Sequence, residues 1–358
     1  MSAVFSPVPP ASRHAAPSIS LIVPVYQGGE DFRRCLEGIA RLSPPADEWI
    51  VVVDGDDDGS GDAAAAAGAK LIRLPGHCGP ATARNAGALE SRGELLLFMD
   101  ADTVPATTVV GQVREVFGAD PGLAALIGSY DDAPEASSFL SQYRNLLHHY
   151  IHQTADSRAY TFWGACGAVR REVFLAVGGF DEAYTMPAVE DIELGYRMVR
   201  AGHRIRLDKD IQVKHLKRWD ALNLLRTDIF QRAIPWSRLL RRERRIHNDL
   251  NLRLDSRLSG ALAWVWLAAL AASPAWPPAL YAAGLAGATL LGLNAPLYRF
   301  FQRKRGWRFA LRTVPWHWLY YLYGSAAFTY VLLADRYYSE PPPRLMGEAN
   351  NTSQAHEQ

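Results

Sequence analysis

The fold turns on LLLFMDADT, residues 95–103. The apolar run Leu95–Met99 passes without a break into Asp100, Ala101 and Asp102. A short apolar run with no alternation reads as a strand buried on both faces. In an open α/β sheet, ligands bind beyond the carboxyl ends of the strands. Two carboxylates at such an end, two residues apart in extended backbone, can point to one side. A hard cation such as Mg2+ or Mn2+ takes one or two carboxylates together with substrate phosphate oxygens. Aspartate at a strand end is also common in plain turns, so the pair needs support from the rest of the chain.

The flanking segments supply an α/β frame. SISLIVPVY (18–26), EWIVVVD (48–54) and KLIRL (70–74) read as further buried strands. Between them lie a helix over 30–42, with Phe32, Leu36 and Ile39 on one face, and an alanine-rich helix ending at Gly68. PATARNAGALESRG (80–93) is a helix with proline in its first turn and glycine after its end. Short strands alternating with helices predict a mainly parallel sheet covered on both faces.

At 358 residues the chain can hold one large domain or two. The net charge of +1 shows no acidic or basic bias, and no nucleic-acid partner is expected. Cys35, Cys78 and Cys166 form no CxxC and read as reduced thiols of a cytosolic-facing protein. Residues 1–17, rich in Pro, Ala and Ser, read as a disordered lead-in. Residues 18–216 form the α/β domain, 217–257 amphipathic helices carrying Trp219, Leu222, Leu225, Ile229, Trp236 and Leu239 among arginines, and 337–358 a loose polar tail. Residues 260–298 and 313–334 contain no Asp, Glu, Lys or Arg. They predict a transmembrane region over 258–336, as a hairpin over 258–298 broken at SPAWPP and a span over 313–335 with an aromatic belt. The arginines in RRERR (241–245) and RFFQRKRGWR (299–308) keep their side cytoplasmic. The chain is thus expected to be a multi-pass protein of the cytoplasmic (inner) membrane with its α/β domain on the cytoplasmic side. Three spans put the C-terminus outside.

Further motifs follow in order: VVVDGDDDGSGD (51–62), HCGPATARNAG (77–87), FWGACGAVRREVFLAVGGFDE (162–182) and VEDIELGYRMVRAGH (189–203). With LLLFMDADT they resemble glycosyltransferase family 2, inverting enzymes of the GT-A nucleotide-sugar fold, over about residues 18–216. The resemblance implies a metal-dependent enzyme using Mg2+ or Mn2+, with roles position by position. Pro24 and Tyr26 match the base-binding Pro-X-Tyr. Asp54 matches the carboxylate that hydrogen-bonds the base, and Asp58 the downstream Asp of the same loop. Arg84 matches the Arg of the Ala-Arg-Asn motif near the nucleotide. Asp100 and Asp102 match the Asp-X-Asp, Asp102 as metal ligand and Asp100 as ribose or sugar contact. Asp191, beside Glu190, matches the catalytic base. His215, at the end of IQVKH, is where several members complete the metal shell. Trp163 and Gly164 are candidates for the acceptor side. Gly55 stands where the family has a second acidic residue, and QRAIPW (231–236) lacks the Gln-x-x-Arg-Trp of processive members.

The expected function is non-processive transfer of a sugar from a nucleotide-diphosphate donor, a UDP sugar first, to a lipid-linked or envelope saccharide acceptor among membrane lipids. A nucleotidyltransferase on the same fold is the first alternative, weakened because PVYQGGED offers no early cation for a triphosphate. A non-catalytic membrane scaffold or exporter subunit is the second, weakened because clustered carboxylates are costly without a ligand. His148 and His152 stand at helical i, i+4 spacing, but no neighbouring third zinc ligand is visible.

Overall fold

The protein is described by a computed structural model covering residues 16–55, 58–244, 246–335 and 343–346. Residues 1–15, Asp56, Asp57, Arg245 and most of the polar tail lie outside the described residues, and with them those parts of the sequence reading.

Nine strands among the described residues form one sheet. They are β1 (Ile19–Val25), β2 (Glu48–Val53), β3 (Lys70–Arg73), β4 (Leu95–Met99), β5 (Thr103–Pro105), β6 (Ala125–Tyr130), β7 (Arg158–Ala159), β8 (Cys166–Arg170) and β9 (Ile205–His215). The order is β3-β2-β1-β4-β8-β6-β9-β5, with β7 on β9. The run β3-β2-β1-β4 is parallel throughout, as is the β6/β9 pair. β8 runs antiparallel to both β4 and β6, and β5 and β7 are antiparallel to β9. The expected mainly parallel sheet is therefore mixed. The reversal positions the site: Met99 pairs with Cys166, so β8 begins where β4 ends, and the turn leading into it, Phe162 to Ala165, lies beside Asp100.

The unbroken apolar run of β4 has a direct cause. Leu95, Leu97 and Met99 belong to the core on one face of the sheet, Leu96 and Phe98 to the core on the other. Helices Gly29–Ala40 and Val109–Ala119 cover the first face. Helices Pro80–Leu89 and Glu190–Arg200 cover the second. The helix Pro80–Leu89 follows Gly79, whose φ of +94 and 2.4 Å gap from an added Cβ to Thr185 O leave room for glycine only.

The C-terminal part comprises helices Ala221–Arg226 and Ile234–Glu243, joined by the π-helical segment Thr227–Ala233, then helices Leu254–Ala272, Ala279–Leu293, Ala295–Arg305 and Trp307–Leu333. Two expectations need correction. The segment read as interface helices is largely sandwiched within the protein. Leu239 and Leu240 pack with Val189 and Tyr196 of the α/β domain, while Arg238 binds Asp335 at 2.6 Å and Arg241 donates to the carbonyls of Val331 and Asp335. Leu222 and Phe230 do remain exposed. Secondly, no single helix among the described residues is long and apolar enough to cross a membrane. Only the pair Ala279–Leu293 and Ala295–Arg305, bent by 61° at Asn294, meets the length and composition required. The stretch 313–335 falls short because tryptophan, tyrosine and histidine dilute its hydropathy. The Arg238–Asp335 pair ties the end of the last helix to the helix Ile234–Glu243, which packs on the α/β domain, and residues 344–346 dock on that domain directly. Glu182 N donates to Arg344 O and Met346 N to Gly178 O. At residues 344–346 the expected loose tail is docked on the α/β domain instead.

Candidate functional site

A cavity of about 1170 Å³ opens at the carboxyl ends of β1, β2 and β4 and runs on between the α/β domain and the C-terminal helices. Pro24, Tyr26, Asp54, Arg84, Asp100, Asp102, Trp163, Glu190, Asp191 and His215, all anticipated from the sequence, share its wall.

Arg84 organises the centre. It projects from the helix Pro80–Leu89 and is buried, donating to Asp100 Oδ1 at 2.7 Å and to Glu190 Oε1 at 3.0 Å. Burial opposes its charge, but Asp100, Glu190 and Asp191 outweigh that and raise its pKa. Its guanidinium lies against Gly164, where an added Cβ would stand 3.0 Å from Cζ. One fork thus ties the end of β4 to the start of the helix Glu190–Arg200, and a side chain at Gly164 would force it to shift by a few tenths of an ångström. Burial pushes the Asp100 carboxyl up, against the pull of Arg84.

His215 ends β9 and pairs in register with Thr103 of β5, which brings it beside Asp102. Its Nδ1 lies 2.7 Å from Asn145 Oδ1, so the N–H of this ring is spent on Asn145. Its Nε2 then faces Asp102 Oδ2 at 3.4 Å. A neutral ring presents a lone pair there, opposite an acceptor-only carboxylate, so a proton or a cation belongs between them. The residues present therefore fit a divalent cation with one nitrogen and one oxygen ligand. Among the described residues no cluster of three or more His, Cys, Asp or Glu forms a complete cage. Tyr130 stacks on the His215 ring at 4.3 Å and fixes its plane.

Asp191 opens the helix Glu190–Arg200. Its Oδ2 accepts from Gly164 N at 3.0 Å and its Oδ1 from its neighbour Ile192 N at 2.8 Å. Burial first, and then the charge of Glu190, push its carboxyl up to about 7. Trp163 stands next to it, ringed by Tyr130, His148 and His152 at 4.8, 5.3 and 5.1 Å. Burial keeps both histidines neutral, His148 well below its usual range and His152 at about 4. His152 Nδ1 binds Gly128 O. The i, i+4 pair thus forms part of an aromatic wall.

At the far end Tyr26 and His77 stack at 4.0 Å. Asp54 is buried and already holds Cys78 N at 2.6 Å, Gly79 N at 2.9 Å and His77 Nδ1 at 2.9 Å. Its carboxylate fixes the turn that starts the helix Pro80–Leu89, a role the sequence reading did not give it. Asp58 does not line the cavity. Its oxygens accept from Gly29 N and from Ser60, tying two loops together outside it. Gly164 lines the cavity only through its neighbours, Trp163 and Ala165, while its N–H serves Asp191.

Sequence reasoning missed the basic side of the cavity: Arg144, Lys217 and Arg232 with their counter-ion Asp228. One signal was available. Arg144, His148 and His152 form an i, i+4, i+8 stripe on the helix Phe139–Thr154, of which only the histidines stood out.

Residues 20–178 match the family model described as Glycosyl transferase family 2. This stretch of the α/β domain is similar to that family. The match holds Asp54, Arg84, Asp100 and Asp102 but ends before Asp191 and His215. The chain is 26% identical over 206 residues to "Probable glycosyltransferase YdaM" of Bacillus subtilis (strain 168), covering 53% of this chain and 48% of that protein. It is 27% identical over 231 residues to "Pre-mycofactocin glycosyltransferase" of Mycobacterium tuberculosis (strain CDC 1551 / Oshkosh), covering 59% and 45%. The chain thus spans about half the length of these curated relatives. Among solved structures, a mannosyltransferase from Pyrobaculum calidifontis, in complex with GDP-Man and Mn2+, superposes with a TM-score of 0.58 at 19% identity over 88% of each chain. The GT-A-like α/β fold is shared with it.

Proposed function

We propose that the chain is an inverting, non-processive glycosyltransferase, taking a sugar from a nucleotide-diphosphate donor, a UDP sugar first, and passing it to a lipid-linked or envelope saccharide acceptor at the cytoplasmic face of a membrane. One observation carries the reading. Asp191, pushed up to about 7 and aimed by Gly164 N–H, shares a cavity with Asp100, Asp102 and His215. A base poised near neutrality beside a site for a charged leaving group is what displacement at an anomeric carbon needs.

In this mechanism Asp191 takes the proton of an acceptor hydroxyl as its oxygen bonds to the anomeric carbon. The bond from that carbon to the donor's phosphate oxygen breaks, and the nucleoside diphosphate leaves. Arg84 holds Asp100 toward the donor and Glu190 beside the base. Tyr26 and His77 offer ring faces to the nucleobase. A divalent cation on Asp102 and His215 would neutralise charge developing on the departing diphosphate. The family 2 match, and a structural neighbour solved with a nucleotide sugar and Mn2+, support donor and metal.

The apolar outer surface of the C-terminal helices supports the membrane. Tyr281 is 85% and Leu285 72% exposed on a helix with no charged residue. Helix Ala279–Leu293, at 15 residues, reaches only about 22 Å against roughly 30 Å of hydrocarbon core. This favours a seat in one leaflet over a full crossing.

Asp191→Asn tests the assignment. Transfer from UDP and GDP sugars to a phospholipid-extract acceptor should fall at least about a thousandfold, with nucleoside diphosphate affinity within about twofold of wild type. Undiminished transfer sinks it. Release of pyrophosphate in place of a nucleoside diphosphate assigns nucleotidyl transfer.

A further inference from the structure

Beyond the donor and base residues, the cavity holds a cluster of cations that the family resemblance leaves without a role. Arg144 binds Asp228 Oδ1 at 2.8 Å, and Arg232 reaches the same oxygen at 3.2 Å. Tyr323 donates to the other oxygen at 2.6 Å. The Lys217 ammonium has no hydrogen-bond or ion-pair partner among the described residues. It stands over the face of Trp219 at 4.7 Å, and the same ring carries the Arg232 guanidinium at 5.8 Å. Among the described residues Asp228 is the carboxylate that Arg144 and Arg232 contact, while Asp102 and Asp100 act on Lys217 through space and favour its charge without touching it. A partly desolvated ammonium with no contacting acceptor is costly until a ligand supplies one.

Position narrows the ligand. Lys217 follows His215 by two residues along extended chain, and alternation turns both to the cavity while Leu216 is buried. The ammonium therefore sits on the flank of the Asp102–His215 pair. The π-helical segment Thr227–Ala233 turns Thr227, Asp228, Gln231 and Arg232 to the same wall. Such segments recur at functional sites. Three cationic donors set around a cation site suit an anion, and a phosphate, with more oxygens than a carboxylate, can meet the donors and a cation together.

We propose that Lys217 and Arg232, held by Trp219 and Asp228 and backed by Arg144, form a phosphate-binding site beside the Asp102–His215 pair. This rests on the proposed transferase reading only for the source of the phosphate. The source is either the diphosphate that leaves with the nucleotide or a phosphate on the acceptor.

The experiment is calorimetric binding to the full chain in detergent with Mn2+ present. The probes are UDP, GDP, uridine, guanosine, pyrophosphate and a short isoprenyl monophosphate. The variants are Lys217→Met, Lys217→Arg and Arg232→Gln, each checked for wild-type thermal unfolding. If the donor supplies the phosphate, Lys217→Met weakens the nucleoside diphosphate at least about tenfold, spares the nucleoside, and Lys217→Arg recovers most of the loss. If the acceptor supplies it, nucleoside diphosphate affinity is unchanged and the isoprenyl phosphate weakens by that factor. Unchanged affinity for every phosphate in both Lys217→Met and Arg232→Gln overturns the site. Should the wild type bind no nucleoside diphosphate, the transferase reading falls. The site then stands on pyrophosphate alone, kept if Lys217→Met weakens it tenfold and lost otherwise.

Discussion

Asp191 is where residue chemistry meets a measurable pH profile. Its carboxyl is pushed up to about 7 from 3.8 by burial and by Glu190. Below that value it is protonated and cannot accept a proton. The proposed reaction should therefore show kcat/KM rising about tenfold per pH unit below 7 and levelling above it. A flat profile from pH 5 to 8 would remove Asp191 from the role of base. The same shift has a stability consequence of opposite sense. A folded-state pKa above the unfolded one adds stability that is complete below about 4 and is lost as pH rises through 7. Asparagine escapes that loss while keeping an oxygen for Gly164 N–H. The Tm of Asp191→Asn relative to wild type should therefore be higher at pH 8 than at pH 5 by about 2 °C or more. Most of these side chains were legible as residues: Arg84, Asp100, Asp102, Asp191 and His215 all reach one cavity. Their wiring was not. Nothing in sequence spacing says that Asp54 is consumed by the backbone of Cys78 and Gly79, or that Arg84 bridges two carboxylates 90 residues apart in the chain.

At the level of elements, β1, β2 and β4 could be read because each is largely apolar and buried on both faces, while the edge strand β3, Lys-Leu-Ile-Arg, is only half-buried and was read from its place in the alternation. What followed could not. β5 is three residues long and contains a proline, yet its pairing with β9 is what sets His215 beside Asp102. β8 is apolar like its neighbours, and composition does not encode direction. The arginine-rich segment after Trp219 misled for a similar reason: a helix lying on lipid and a helix wedged between protein layers have the same amphipathic period. The two differ in energetics. Leu239 is fully buried against Val189 and Tyr196, whereas Leu222 is exposed. Leu239→Ala should cost about 2–5 kcal/mol in detergent-solubilised protein, and Leu222→Ala less than about 0.5 kcal/mol. Urea or thermal unfolding checks this. Equal, small effects would put Leu239 on lipid as first read.

The whole molecule joins the α/β domain to a helical platform whose outer surface is apolar and whose inner surface closes the cavity. Trp264, Tyr320 and Tyr323 line the same cavity as Asp191, so under the proposed reaction an acceptor approaching along the platform would meet the base without leaving cover. Under the proposed membrane seating, the depth of that platform would follow from its lengths. Helices Leu254–Ala272 and Ala279–Leu293 have 19 and 15 residues, the first opening on Asp255 and Arg257. Neither completes a crossing of roughly 30 Å at 1.5 Å per residue with charges kept out. The last helix is tied by Arg238–Asp335 to the helix Ile234–Glu243, which packs on the α/β domain. On the proposed membrane seating, a hairpin tip buried within the bilayer is the arrangement that fits all three. Ala275→Cys, in a Cys78→Ser background that leaves only the buried Cys35 and Cys166, places one reporter at that tip. In sealed vesicles of either orientation a membrane-impermeant maleimide should leave it unlabelled, and detergent should expose it. Labelling from the face opposite the α/β domain would restore the crossing hairpin. Labelling from the domain's own face would mean that the tip never enters the bilayer, and the lipid-linked acceptor would lose its support.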